Sequence, residues 1–212
     1  NVYVSKVKES EVADQYRKLG RIPEFRMMRE KIPFMAVWDD HDFGKNDGGA
    51  DFKSKDLFKR EFLRFWDYTS ESIETSQAGL YHAKIFGQKG SSEPVVQVIM
   101  LDTRYFRTPL LVNPDTSNPL RKYVASTNLD STLLGESQWK WLEVQLKMHA
   151  DIRFIVSSIQ FVAEGHGFEK WSNFPDEKEK FLRLLKSNHL KNVFIFSGDR
   201  HLGIISKQEI KN

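Results

Sequence analysis

The densest chemistry in this sequence is Asp39-Asp40-His41-Asp42, with Asn46 and Asp47 close behind. Carboxylate and amide oxygens suit hard cations, and imidazole suits several transition metals. Three carboxylates crowded around one histidine repel one another unless a cation sits among them. The same residues also suit a solvated acidic turn, with Asp42 or Asp47 capping the next helix. A second cluster, Gly198-Asp199-Arg200-His201, follows an apolar run. In extended geometry Asp199 and His201 share one face. The plainer reading is a capping Asp beside a surface His. In Asp102-Thr103-Arg104, an Asp–Arg pair holds a loop by a bidentate ion pair, or the arginine meets a phosphate. His166 stands between Gly165 and Gly167, open to a metal or substrate, or simply on the surface.

Several other chemistries are excluded. There is no GxGxxG, no Walker A lysine motif, no Gly-x-Ser-x-Gly elbow and no HExxH. With 0 Cys, the chain holds no disulfide, thiolate zinc site or cysteine nucleophile. His82, His149 and His189 lie in strand or helix patterns and read as structural or solvated. The 16 Phe, 5 Trp and 6 Tyr sit mostly at helix and strand spacing, which suits a core better than a base-stacking platform.

These clusters need elements to present them. The apolar run 34–38 predicts a buried strand, with the acidic, Gly-rich segment 39–49 at its carboxyl end. Ligand sites of open α/β sheets lie at such ends. Further strands are predicted at 80–86, 95–101, 152–157, 192–197 and 202–206, and residues 1–4 read as the end of one. Helical spacing covers 10–20, 24–31, 54–66, 135–148 and 175–185. The segment 108–134 reads as a long surface excursion with little regular structure. This alternation predicts α/β layers. Polar clusters recur after Trp38, Leu101, Ser158 and Ser197, and four such ends meeting on one sheet edge would make one site.

The 212 residues suit one domain or at most a small pair. Lys+Arg 32 against Asp+Glu 29 leaves +3, too little to argue a nucleic-acid partner. No apolar run reaches the roughly 18 residues that a membrane span needs. The sequence starts at Asn1 with neither an initiator Met nor a signal-like segment.

Four blocks in order carry a resemblance. They are Trp38-Asp39-Asp40-His41-Asp42 with Asn46-Asp47; Leu101-Asp102-Thr103-Arg104-Tyr105-Phe106-Arg107; the run from Phe168 to Pro175; and Ser197-Gly198-Asp199-Arg200-His201. Together they resemble the alkaline phosphatase D (PhoD-like) family of calcineurin-like metallophosphoesterases. The resemblance implies an α/β sandwich of two β-sheets flanked by helices. It also implies a single catalytic domain over 1–212, incomplete at the N-terminus and at the C-terminus. The implied activity is hydrolysis of phosphodiesters or phosphomonoesters by in-line attack of a metal-bound hydroxide, with iron and calcium as the metals. Carried over by position, Tyr3, Asn46 and Asp199 are metal ligands, and Asp40, His41 and His201 are catalytic. Arg104 and His166 are expected to bind substrate. Tyr3 matches the tyrosine of a Gly-Asp-x-x-Tyr block whose Asp would precede Asn1, and a cysteine-bearing ligand block would lie further upstream. The chain therefore reads as an internal piece of a longer, extracytoplasmic enzyme, weak or inactive alone. The alternative is a non-catalytic binding or scaffold member of the same fold. No stable nucleic-acid partner is expected.

Overall fold

The computed structural model describes residues 2–4, 7–69, 73 and 76–210. In chain order it has α1 (Glu9–Gly20), α2 (Pro23–Lys31), α3 (Asp40–Phe43), α4 (Lys55–Phe65), β1 (His82–Phe86) and β2 (Val96–Met100). Then come β3 (Leu111–Val112), β4 (Tyr123–Val124), α5 (Gly135–Leu146), β5 (Ile152–Ser157), α6 (Pro175–Ser187) and β6 (Val193–Ser197). Four strands form one sheet in the order β1-β2-β5-β6, and β3 pairs with β4 in a second. β2, β5 and β6 are parallel, and β1 runs antiparallel to β2. The expected α/β architecture of two sheets flanked by helices is thus present. Among the described residues, no helix is long and apolar enough to cross a membrane.

Strand alternation decides which residues face the helices. Ile99, Ile155 and Ile195 stand side by side in register. They pack against Trp139, Leu142 and Leu146 of α5 and Phe181 and Leu185 of α6. Pro175 opens α6 at a position where its missing N–H leaves no helical bond unmade. The opposite sheet face carries Phe154, Phe194 and Phe196, whose rings meet at 5.5–5.8 Å. Phe194 and Phe196 remain 51% and 55% exposed. A second apolar cluster gathers Val12 and Tyr16 of α1, Phe58 and Phe62 of α4, Phe43 of α3, and Trp38.

The predicted strand at 34–38 is irregular instead, and among the described residues no strand pairs with it. Tyr68 substitutes for a ladder partner. Its hydroxyl accepts the Ala36 N–H (2.6 Å) and donates to the Ala36 carbonyl (3.1 Å), meeting both backbone demands at that residue. Residues 202–206 are irregular and exposed instead of a strand. Residues 2–4 are irregular too, and Asn1 lies outside the described residues. The acidic segment contains a helical turn, α3, and the excursion at 108–134 carries the β3–β4 pair.

His82 couples the Tyr68 clamp to pH. It is buried, with Nδ1 2.8 Å from the Leu80 carbonyl and Nε2 3.2 Å from the Tyr68 hydroxyl. A carbonyl only accepts, so Nδ1 carries a proton. Burial pushes its pKa below the usual 6.5, against the Leu80 carbonyl, which favours the charged form. The unfolded chain therefore takes up a proton at a pH where the folded chain does not. Stability is complete above 6.5 and falls as pH drops from there toward the lowered folded value. Urea unfolding should show a lower midpoint at acidic than at neutral pH, and His82→Gln should shrink that difference. An equal difference in both proteins would place its origin elsewhere.

Candidate metal centre

Because β2, β5 and β6 are parallel, their carboxyl ends lie at one sheet edge. The loops that leave them are bonded to one another. The Thr103 and Ser158 hydroxyls share a hydrogen bond, and the Gly198 N–H donates to the Ser158 carbonyl (3.1 Å). Asp102 turns the chain after β2. Its Oδ1 accepts the N–H groups of Arg104 (2.9 Å) and Tyr105 (3.0 Å), and its Oδ2 accepts that of Leu80 (2.8 Å). Gln138 of α5 brackets the Asp102 N–H and carbonyl, both at 2.8 Å. The turn is thereby fixed before Arg104 begins.

The acidic segment is pinned from both sides. Trp38 and Phe43 are wholly buried and meet edge to face at 5.0 Å. The four residues between them have little freedom left. Gly44 ends the helical turn at φ +105°, where a Cβ would stand 2.4 Å from the Phe58 ring. Asp40 then anchors the loop, accepting the N–H groups of His41 (2.8 Å) and Asp47 (3.1 Å).

Asp39, Asp40 and Asp199 come together here, each offering one oxygen within 4.8 Å of the others. Burial raises the Asp199 pKa, and the charges of Asp39 and Asp40 raise it further, against the pull of Arg104 and Arg200. A cation placed among the three would relieve that repulsion, and an all-oxygen donor set suits a hard cation. The residues present fit a metal.

Asp199 and His201 both take left-handed backbone, at φ +68° and +52°. The extended geometry expected for this pair does not hold, because the chain turns sharply after β6. Asp199 faces the other carboxylates. His201 is exposed and does not belong to the carboxylate group.

Arg104, expected at the substrate, lies inside the protein. It has 0% exposure, and its guanidinium is enclosed by carboxylates. Nε and Nη2 both donate to Asp39, the former at 2.9 Å, and Nη2 also meets Glu169 at 2.5 Å. Burial alone would favour the neutral arginine, but Glu169, Asp39 and Asp40 outweigh it and hold the charge firmly. Nη1 reaches the Gly48 carbonyl at 3.5 Å, and the rest of the guanidinium holds Asp39 in place. Arg107 extends the cluster, 3.1 Å from Glu169, and donates to the carbonyls of Asp47 (2.5 Å) and Gly48 (2.6 Å).

The remaining expected residues surround this centre. The Tyr3 ring packs on His41 at 4.1 Å and is half-exposed. His41 Nε2 lies 3.9 Å from Asp40 Oδ2, outside the carboxylate group. Asn46 is exposed on the loop just before Asp47. Asp42 turns inward instead, buried, and accepts the Val2 N–H (2.9 Å). His166 lines a neighbouring cavity with Nε2 2.8 Å from Gln160. Sequence spacing marks Asp39 only as one member of the acidic cluster and does not single out Glu169. Both sit inside resemblance blocks, and the charged residue beside each block's buried aromatics was the available signal.

Acidic residues thus gather at the carboxyl edge of an α/β sheet, in a group that could hold a cation. Comparison with known proteins places the chain in a family. Residues 6–211 match the family model of PhoD-like phosphatases, and the chain belongs to that family. It is 24% identical over 190 residues to alkaline phosphatase D of Bacillus subtilis (strain 168), a match that spans 80% of this chain and 31% of that protein. The solved structure of PhoD shares the fold, with a TM-score of 0.61 at 22% identity, over 95% of this chain and 43% of that one. The chain thus spans less than half the length of these two relatives.

The buried ion cluster yields a stability prediction. Arg104→Met should cost about 3–5 kcal/mol, because it strands Asp39 and Glu169 without a counter-charge. Arg104→Lys should cost less, keeping the charge but losing the fork. Urea denaturation reads both, and a loss of under about 1 kcal/mol for the Met variant would contradict the role given to Arg104.

Proposed function

We propose that this chain forms part of a metal-dependent phosphatase or phosphodiesterase that hydrolyses phosphate esters. The observation that supports it is the convergence of Asp39, Asp40 and Asp199 in a member of the PhoD-like phosphatase family. Those three carboxylates would hold the metal, with the Asn46 amide and the Tyr3 hydroxyl as further ligands. Iron and calcium, the metals that the resemblance implies, both accept oxygen donors. When bound, such ions lower the pKa of water and neutralise charge on the transferring phosphoryl group.

The chain's own residues do the rest. Arg104 and Glu169 fix Asp39 from behind, so the carboxylate oxygens need no rearrangement during reaction. The half-buried His41 lies beside Asp40 and under Tyr3. From there it gives a proton to the leaving oxygen as its bond to phosphorus breaks. The exposed His201 meets the ester phosphate at the rim. His166 reaches the organic part of the ester. The enzyme works outside the cytoplasm, and residues 1–212 belong to one partial catalytic domain.

The test uses the full-length protein with 4-nitrophenyl phosphate and bis(4-nitrophenyl) phosphate. Hydrolysis should require metal and stop with a chelator. Asp40→Asn and Asp199→Asn should each lower kcat/KM by more than about 100-fold, beyond the loss usual for residues that only support a ligand. Both variants should also bind less metal by elemental analysis while keeping the wild-type circular dichroism. Activity that survives both substitutions, or a chelator, would overturn the reading. A protein that binds metal without hydrolysing either ester would favour the scaffold alternative.

A further inference from the structure

Beside the carboxylate centre lies a cavity of about 660 Å³, walled by Arg121, Tyr123, His166, Lys170 and Ser172 among others. Its walls are held close. The Tyr123 N–H donates to the Gly167 carbonyl at 2.7 Å, and a Cβ on Gly167 would stand 2.2 Å from the Arg121 Cα. Only glycine lets the two segments approach this far.

Two contacts tie the cavity to the centre. The Tyr123 hydroxyl donates to Asp47 Oδ2 (2.7 Å), and the Asp47 N–H in turn binds Asp40. Arg200, between Asp199 and His201, lays its guanidinium 4.2 Å from the centre of the Phe168 ring, two residues from His166. A molecule with its phosphate at the carboxylates therefore has this cavity next to it.

The cations of the walls, Arg121 and Lys170, differ in their partners. Lys170 is buried, and its Nζ donates to the Phe168 carbonyl (3.1 Å), a neutral partner. Arg121 is exposed at the mouth. Of the acids in the wall, Glu164 pairs with Lys178 (2.9 Å), and Asp115 accepts the Ser117 N–H (3.0 Å) and feels the charge of Arg121, which leaves Lys170 as the buried wall cation whose hydrogen bond goes to a neutral carbonyl. Burial lowers the Lys170 pKa, and the cations Lys178 and Arg200 lower it further. His166 is lowered by burial, then by Lys170 and Arg200. Its Nδ1 accepts the Phe168 N–H (3.1 Å), so the neutral ring carries its proton on Nε2. Cations thus crowd one another along this wall, and an entering anion would relieve them.

We propose that this cavity is a second anion site, which takes an oxyanion carried on the organic part of the ester and so selects substrates by charge away from the scissile bond. The proposal rests on the phosphate-ester reading above and adds to it a substrate class, esters bearing a further negative group.

Two arms test it on the full-length protein. The first compares 4-nitrophenyl ethyl phosphate with its analogue bearing a phosphonate at the end of the ethyl group. The wild type should favour the phosphonate ester by about tenfold in kcat/KM at low salt. Arg121→Ala should remove most of that preference and leave the plain ester unchanged. No preference, or an equal loss on both esters, would overturn the proposal. The second arm needs no catalysis. Ethylphosphonate is titrated into chelator-treated, metal-free protein while the His166 ring signals are followed by NMR. A saturable shift that Arg121→Ala and Lys170→Met weaken by tenfold or more supports the site, and no shift overturns it. If neither ester is hydrolysed but the shift is present, the enzyme reading fails and the anion site stands.

Discussion

Arg104 carries its charge with no water around it, and what surrounds it decides where the candidate site is built. Taking a guanidinium out of water is costly unless carboxylates close around it with good geometry. Asp39 and Glu169 do so, and they arrive from distant parts of the chain. The loop after β2, the acidic segment before α3 and the segment leading to Trp171 are therefore joined at one point. Arg107 brings the carbonyls of Asp47 and Gly48 to the same point. The pairing also tunes the centre. Asp39 is partly neutralised from behind, while Asp199 feels the charges of Asp39 and Asp40 against the pull of Arg104 and Arg200.

The three carboxylates are held by different means. Asp39 and Asp40 sit between two buried aromatics, so hydrophobic packing fixes a strongly polar segment. Asp199 is placed by a left-handed turn just past an edge strand, which costs backbone energy unless its surroundings hold it. Asp47 stands between the centre and the cavity beside it. Burial opposes its charge, but hydrogen bonds from Lys122 and Tyr123 outweigh that and hold its pKa below the usual carboxylate range. One residue thus links the loop that binds Asp40 to the wall that carries His166.

Much of this was legible locally. Apolar runs bounded by turn residues mark β2, β5 and β6, and their polar endings mark the sheet edge where the carboxylates meet. The helices follow from apolar spacing, with α6 starting at its proline. What was not legible depends on partners far away in sequence. The run 34–38 has a strand's composition, yet pairing needs a neighbour, and composition does not supply one. The role of Arg104 could not be separated from phosphate binding without knowing that Asp39 and Glu169 enclose it. The Asp199–His201 spacing suggests a shared face only if the backbone is extended, and both residues turn left-handed instead.

The Tyr68 clamp on Ala36 has a kinetic side. A residue inside a sheet is protected by ladders on both flanks and opens only when the sheet does. The segment that delivers Asp39 and Asp40 has no such ladder among the described residues, and a single phenol oxygen meets the backbone demands of Ala36. Breaking that contact exposes the Ala36 backbone without opening the β2–β5–β6 ladder, whereas Asp39, gripped by Arg104 and Glu169, lets go only with the cluster that ties it to the loop after β2. The chain that leads into the centre can therefore exchange its amide protons with solvent while the carboxylates it delivers stay in place.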